Sequence, residues 1–325
     1  MLDITPLFPE HTGPILARPT QGRLSLLDIV VPQRDNFRSR LTEHGAILFR
    51  GFRVDDVSDF HALVDGLTSD HMRYIYRSTP RSVVTDRVST ATSYPAQLEI
   101  PLHNENSYSD NWPLTVAFCC TKPAVEGGET PVACMRDVTR DIGSALLNKF
   151  QELGVEYIRH YHQGVDLPWQ DVFQTTDKGE LQNYCDSNGI STEWLDGDLL
   201  RTVSRAQGAA EHPGTGDRVF FNQAHLFHVS SLGQGHAEAL TELFGLDRLP
   251  RHARFGDGSE ISAEELARIN DAFRKNTLAF PWQTGDVLWV DNMQYAHGRR
   301  PFKGERAVFA SLMEPYHPKL AEAAA

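Results

Sequence analysis

The triplet His103-Asn104-Glu105 puts an imidazole and a carboxylate on alternate residues, so an extended chain turns both to one face. One strand cannot close a three-ligand site by itself. A third donor has to come from a distant part of the chain, and His297, in Tyr295-Ala296-His297-Gly298-Arg299, is the best candidate. The fold is constrained accordingly: the segment around residue 297 must lie beside the segment around residue 103. Two imidazoles and one carboxylate on one face leave three open positions on an octahedral ion, and this donor set suits iron. The triplet alone is weak evidence, because 14 His and 43 acidic residues make chance alternation expected. Its surroundings must carry the reading.

The chain of 325 residues, 40% hydrophobic, has ample material for a buried core. Its 31 basic and 43 acidic side chains give a formal charge of −12, which argues against a nucleic-acid surface and against attraction to anionic lipid. Cys119, Cys120, Cys134 and Cys185 fit neither a zinc motif nor a disulfide framework, and adjacent Cys119 and Cys120 on one strand would face opposite ways. Buried reduced thiols are the plainer expectation. The first residues lack the basic segment and apolar run of a signal peptide, and no apolar stretch reaches membrane-spanning length, so a cytoplasmic enzyme is expected.

In chain order, residues 1 to 25 read as a Pro-rich extended arm. Ala46 to Phe52 reads as a short apolar strand, and Asp55 to Leu67 as a helix with Val57, Phe60, Leu63, Val64 and Leu67 on one face. Arg73 to Thr92 reads as a polar loop bordering the His103 strand. Leu114 to Cys120 is strand-like, and Glu126-Gly127-Gly128-Glu129-Thr130 reads as a hairpin turn returning into Pro131-Val132-Ala133. Val138 to Leu153 follows helical periodicity as a single element. Residues 155 to 161 and 218 to 223 are strand-like, 235 to 244 helical, and the region from Trp169 to Gly208 gives few clean signals. Ser262-Ala263-Glu264-Glu265 is a capping box that starts a helix through about Lys275. Val287 to Val290 and Arg306 to Met313 are the last strands, and 316 to 325 an Ala-rich tail expected to fray. The simplest partition is one domain over 1–325, with an insertion of helices and further elements over about 135–280.

The combination of His103-Asn104-Glu105-Asn106-Ser107-Tyr108 and Trp112-Pro113, Gly127-Gly128-Glu129-Thr130-Pro131, His212-Pro213-Gly214-Thr215-Gly216, Phe221-Asn222-Gln223, Asp291-Asn292, Ala296-His297-Gly298-Arg299 and Gly304-Glu305-Arg306 resembles the taurine dioxygenase-like, or clavaminate synthase-like, branch of Fe(II)/2-oxoglutarate dioxygenases. The likeness spans roughly residues 40 to 315 and is nearest to members that tailor amino acids for natural products. It implies a mostly β chain with helices (α+β), built on a double-stranded β-helix, or jelly roll, with bracing helices. It implies Fe(II) on His103, Glu105 and His297, with 2-oxoglutarate and O2 as cosubstrates. Arg306 would take the distal carboxylate of 2-oxoglutarate with Thr130 as its hydroxyl partner, and Arg299 and Arg300 compete for the arginine role. A guanidinium fork and one hydroxyl donor suit a carboxylate. Glu105 keeps the carboxylate that halogenating relatives lack, and its extra methylene over the commoner Asp makes taurine a poor substrate guess.

The expected reaction is hydroxylation of an unactivated C–H of an amino acid or amino-acid-derived precursor, with release of succinate and CO2; desaturation, epoxidation or cyclisation would use the same ligands. Asn104, Tyr108, Tyr94, Gln223, Arg73 and Arg77 are candidate substrate contacts. A carrier protein could present the substrate: the overall charge disfavours an acidic carrier, while Arg73, Arg77, Arg81 and Arg87 could offer it a local positive surface. A homo-oligomer is allowed. A metal-binding protein without turnover conflicts with an intact triad and both anchors. A zinc hydrolase on the same triad would have no obvious general base nearby and no use for Arg306 and Thr130.

Overall fold

The computed structural model describes residues 2–72, 75–76, 78, 84–85, 87–90 and 94–318. The larger of its sheets has seven strands in the order Leu2–Pro6, Ile15–Pro19, Ala46–Phe49, Asp286–Asp291, Trp112–Lys122, Ala307–Tyr316 and Ser89–Thr90. All neighbours are antiparallel except Ile15–Pro19 beside Ala46–Phe49. A four-stranded sheet runs Thr277–Leu278, Val132–Cys134, Tyr295–Arg299 and Ile100–His103. The chain is thus mixed α+β, its sheets braced by helices.

Side-chain alternation separates two apolar layers about the large sheet. Ile47, Phe49, Ala117, Cys119, Val287 and Trp289 pack with Phe37, Leu41, Phe60, Leu63 and Val64 of helices Arg34–His44 and Val57–Leu67. Ala46, Leu48, Val116, Phe118, Cys120, Leu288 and Val290 pack the other way, with Val132 and Tyr295 of the smaller sheet. Cys119 and Cys120 therefore face opposite layers as their adjacency requires, and both are free thiols. Burial pushes each thiol up, that of Cys120 to about 12, so both stay protonated and inert.

Between these strands runs a third sheet, Ser191–Leu195, Leu199–Ala206, Val155–His160 and Arg251–Phe255, together with the Ala209–Glu211/Arg218–Phe220 pair. The weakly patterned 169 to 208 region resolves into helices Trp169–Phe173 and Lys178–Ser187 and two of these strands. The capping box is present as read: the Ser262 hydroxyl accepts the Glu265 N–H, the Glu265 carboxylate accepts the Ser262 N–H, and the helix covers Ala263–Lys275.

Four local expectations are corrected. The supposed arm supplies two strands of the large sheet, because Leu2–Pro6 pairs with Ile15–Pro19 and the latter extends the sheet edge. The single helix from 138 to 153 is two, Met135–Ile142 and Ser144–Leu153, broken at Gly143, whose φ of +85° lies outside helical space. The Gly-Gly-Glu-Thr stretch is no hairpin. Its Glu126–Gly127 pairs with Phe302–Lys303, and the chain then crosses from the large sheet into the small one at Val132–Cys134. The strand carrying the triplet stops at His103, and Glu105 lies in the turn that follows. Residues 319–325 of the expected tail lie outside the described residues.

A buried ion network pins the third sheet. The Asp166 carboxylate, 15% exposed, accepts from Arg251 Nη2 at 2.6 Å and faces Arg159 Nη2 at 3.6 Å. Burial raises its pKa, but Arg251 and Arg159 outweigh that and hold it down at about 2. A carboxylate depressed from 3.8 to about 2 contributes stability above its unfolded value and loses it as pH falls through the folded one. That difference is about 2 kcal/mol. Urea titrations should therefore show the wild type losing about 2 kcal/mol more than Asp166→Asn between pH 5 and about 2; parallel pH profiles for the two proteins would rule this out.

Candidate metal centre

His103 and His297 are direct cross-strand partners in the small sheet, their ring centroids 4.8 Å apart. His297 Nε2 stands 3.8 Å from Glu105 Oε2, and donor atoms of the three residues all lie within 4.8 Å of one another. The constraint set by the triplet is met. His103 Nδ1 lies 2.9 Å from the Pro101 carbonyl; a proton donated there fixes the tautomer and leaves the Nε2 lone pair able to bind a metal. The edge of Phe118 packs on His297, with centroids 4.9 Å apart. Beyond His297 the register shifts, and Gly298 passes so close that a Cβ there would stand 2.5 Å from the Ile100 carbonyl oxygen. Only glycine fits that approach.

Glu105 owes its place to a neighbour whose role the sequence did not signal. Its N–H donates to Asn292 Oδ1 at 2.7 Å, and Asn292 Nδ2 donates to the carbonyls of Glu105 and Pro113, each at 2.9 Å. Asn104 Nδ2 donates to the Asn292 carbonyl at 2.6 Å. The next residue, Asn106, takes φ +59°, a left-handed conformation that asparagine tolerates. The turn holding Asn292 is itself saturated. Asp291 accepts the N–H groups of Met293 and Gln294, and its other oxygen accepts from His212 Nε2 at 2.9 Å. The amides of Gly214 and Thr215 donate to His212 Nδ1, so the proton sits on Nε2 and points at Asp291. The same turn leads directly into the strand of His297. One element thus positions donors from both ends of the chain.

Replacing Asn292 by alanine should weaken Fe(II) binding by about 10- to 100-fold, the usual effect of losing an outer partner of a metal ligand. Anaerobic Fe(II) titration of the folded variant checks it, and wild-type affinity would show that Asn292 does not orient Glu105.

Thr130 is buried, and its hydroxyl oxygen accepts from Trp282 Nε1 at 3.0 Å, which leaves the hydroxyl proton to donate elsewhere. Arg306 donates from Nε to the Gly128 carbonyl at 2.9 Å and lies over Phe302. Its side chain packs against Gly128, two residues before Thr130. Burial pushes this guanidinium down to about 10, and Arg299 adds to the effect. Among the described residues, no carboxylate comes within ion-pair distance of it.

The competing arginines are placed differently. Arg299 donates to the carbonyls of Tyr94, Pro95 and Leu98 at 2.7 to 2.9 Å and so staples that loop to the sheet. Arg300 is exposed, its backbone N–H bonded to the Glu129 carbonyl.

Several candidate substrate contacts are braces in this structure. Asn104 bonds Asn292, and its own carbonyl accepts from Gln223 Nε2 at 2.8 Å and from Ser107 Oγ at 3.0 Å. Asn104 and Gln223 therefore clamp the Glu105 turn from two sides. Tyr108 is buried, with its hydroxyl donating to the Tyr76 carbonyl at 2.9 Å and its ring against Tyr76 and Phe227. Tyr94 is 39% exposed. Arg73, Arg77 and Arg81 lie outside the described residues, while Arg87 pairs with Asp65 at 3.3 Å.

The family described as "Taurine catabolism dioxygenase TauD, TfdA family" matches residues 12–313. The chain is 41% identical over 282 residues to the dapdiamide synthesis protein DdaC of Enterobacter agglomerans, covering 87% of this chain and 86% of that one. It is 31% identical over 319 residues to a clavaminate synthase-like protein of Arabidopsis thaliana, covering 94% and 93%. Among solved structures, PvcB of Pseudomonas aeruginosa superimposes with a TM-score of 0.55 over 96% of this chain and 91% of its own, at 15% identity.

Proposed function

We propose, for a chain that belongs to the taurine catabolism dioxygenase TauD, TfdA family, that His103, Glu105 and His297 hold the Fe(II) of this 2-oxoglutarate-dependent dioxygenase, and that it oxidises an unactivated C–H of an amino acid or amino-acid-derived precursor. The observation that carries the site is the cross-strand pairing of His103 with His297, with the Glu105 carboxylate beside them. Two imidazoles and one buried carboxylate match the preferences of Fe(II) and leave positions for 2-oxoglutarate and O2. The two facing sheets are read as the two halves of a jelly roll, and 1–325 as one catalytic domain carrying the 135–280 insertion. Support for an amino-acid-like substrate comes from the relative named for dapdiamide synthesis.

When bound, the iron couples oxidative decarboxylation of 2-oxoglutarate, giving succinate and CO2, to oxidation of the substrate C–H. The chain supplies position. Pro101 orients the His103 ring, Asn292 holds the Glu105 backbone, and Phe118 packs on His297. Arg306 offers a charged fork to the distal carboxylate of 2-oxoglutarate, and Thr130, its oxygen already occupied by Trp282, offers a proton to the same group. No side chain has to take a proton from the substrate carbon. Hydroxylation is the reading preferred over desaturation, epoxidation or cyclisation.

The test is succinate formation by anaerobically reconstituted Fe(II) protein on addition of O2, with 2-oxoglutarate and a panel of free amino acids and carrier-bound aminoacyl thioesters. Substrate-stimulated succinate is expected, and the arm that responds tells free from tethered substrate. Absence of the visible Fe(II)–2-oxoglutarate charge-transfer band would overturn the site assignment. A band without stimulation by any member of the panel would overturn the substrate class alone.

A further inference from the structure

A second group of metal-type donors, made of other residues than the triad, lies in the insertion. His228 follows helix Ala224–Phe227, His252 sits on strand Arg251–Phe255, and Glu260 lies just beyond the turn that ends that strand. One donor atom from each lies within 4.8 Å of the other two. The two imidazole centroids are 4.6 Å apart, and His252 Nε2 is 3.0 Å from Glu260 Oε2. We propose that His228, His252 and Glu260 form a second divalent-metal site of the zinc class, independent of the iron centre.

The plain alternative is a surface hydrogen bond between His252 and Glu260 with His228 nearby by chance. One observation goes against it: His252 Nδ1 is buried and, among the described residues, has no hydrogen-bond partner. If Nε2 only donated its proton to Glu260, a bare nitrogen lone pair would be left in the interior, an arrangement that native structures rarely leave unexplained. A metal on Nδ1 would fill that lone pair, with Glu260 on Nε2 as the carboxylate that orients the ring. His228 Nδ1 accepts the Ser230 N–H at 3.2 Å and lies 2.8 Å from Ser230 Oγ, so its proton sits on Nε2 in this structure, and a metal there would displace that proton to Nδ1, where the Ser230 hydroxyl can accept it.

Imidazole nitrogens with a carboxylate suit Zn2+ and its Co2+ substitute. The donors come from two stretches of chain, so the ion would tie the turn after helix Ala224–Phe227 to strand Arg251–Phe255 and the turn that ends it.

The experiment is equilibrium dialysis of the full chain against Co2+, with bound metal counted and the visible ligand-field spectrum recorded. Wild type should bind two equivalents. His252→Ala, and Glu260→Gln at a side chain exposed enough to leave folding intact, should each weaken one equivalent by at least about tenfold, which is the least expected for a donor or its orienting partner. His297→Ala should lose the other equivalent, and in that background Glu260→Gln should remove the cobalt spectrum that remains. A single equivalent in the wild type, or wild-type affinity for both in His252→Ala and Glu260→Gln, would overturn the proposal while leaving the iron site untouched.

Discussion

His297→Ala is expected to abolish Fe(II) binding and to lower turnover by about three orders of magnitude, equivalent to about 4 kcal/mol of transition-state stabilisation; the same result is expected of His103→Ala. Each replacement leaves two donors where the ion needs three, and no other imidazole is grouped with the triad among the described residues. The two variants differ in their effect on folding. His103 is only partly buried, at the end of a strand. His297 is buried in the centre of the small sheet with Phe118 on its face, so its removal opens a cavity and costs on the order of 2 kcal/mol of stability. Loss of activity in a folded His103→Ala protein is therefore the cleaner measurement. Fe(II) titration and single-turnover succinate yield read it directly, and full activity in either variant would sink the ligand assignment.

The pairing of residues 103 and 297 could be anticipated because metal chemistry demands three donors and the triplet offers two. Chemistry supplied a long-range contact that local pattern cannot. Alternation told as much about Cys119 and Cys120, since adjacent residues on a strand must face opposite layers, and the Ser262-to-Glu265 spacing located a helix start to the residue. What stayed hidden depended on partners. The expected extended path from His103 to Glu105 fails because Asn292 draws the Glu105 peptide into a turn, and nothing near residue 105 announces a partner at 292. Gly143 breaks a helix whose apolar periodicity runs straight across it, because periodicity reports which face is buried and not whether the backbone continues. The N-terminal segment looked like an arm because an edge strand needs only a neighbour's backbone, which leaves little trace in side chains. His212 stood within a recognisable motif, yet its function as a strut to Asp291 emerged only from the two amides that fix its tautomer.

Arg306→Gln should raise the 2-oxoglutarate requirement by roughly 30-fold or more, with a much smaller change for the main substrate, since losing one partner of a charge-assisted pair costs on the order of 2 to 5 kcal/mol. Four local features favour this arginine over its neighbours. Arg299 already satisfies three carbonyls and Arg300 is exposed, whereas Arg306 packs against the Gly128 turn that leads to Thr130 and has no carboxylate partner among the described residues. A partly buried cation is tolerated best where an anion completes it, so the cosubstrate is the natural counter-charge. Although burial pushes the guanidinium down to about 10, it remains charged throughout the neutral range, and the wild-type requirement should be flat from pH 6 to about 9. Arg306→Lys separates charge from geometry. A lysine starts from a lower pKa, the same burial pushes it lower still, and it lacks the bidentate fork. Its 2-oxoglutarate affinity should therefore be weaker than wild type at pH 6.5 and fall further as pH rises, because deprotonation removes the charge that the cosubstrate carboxylate needs. A lysine variant as flat as wild type would mean that position 306 does not meet that carboxylate, and an unchanged requirement in Arg306→Gln would move the role to Arg299 or Arg300.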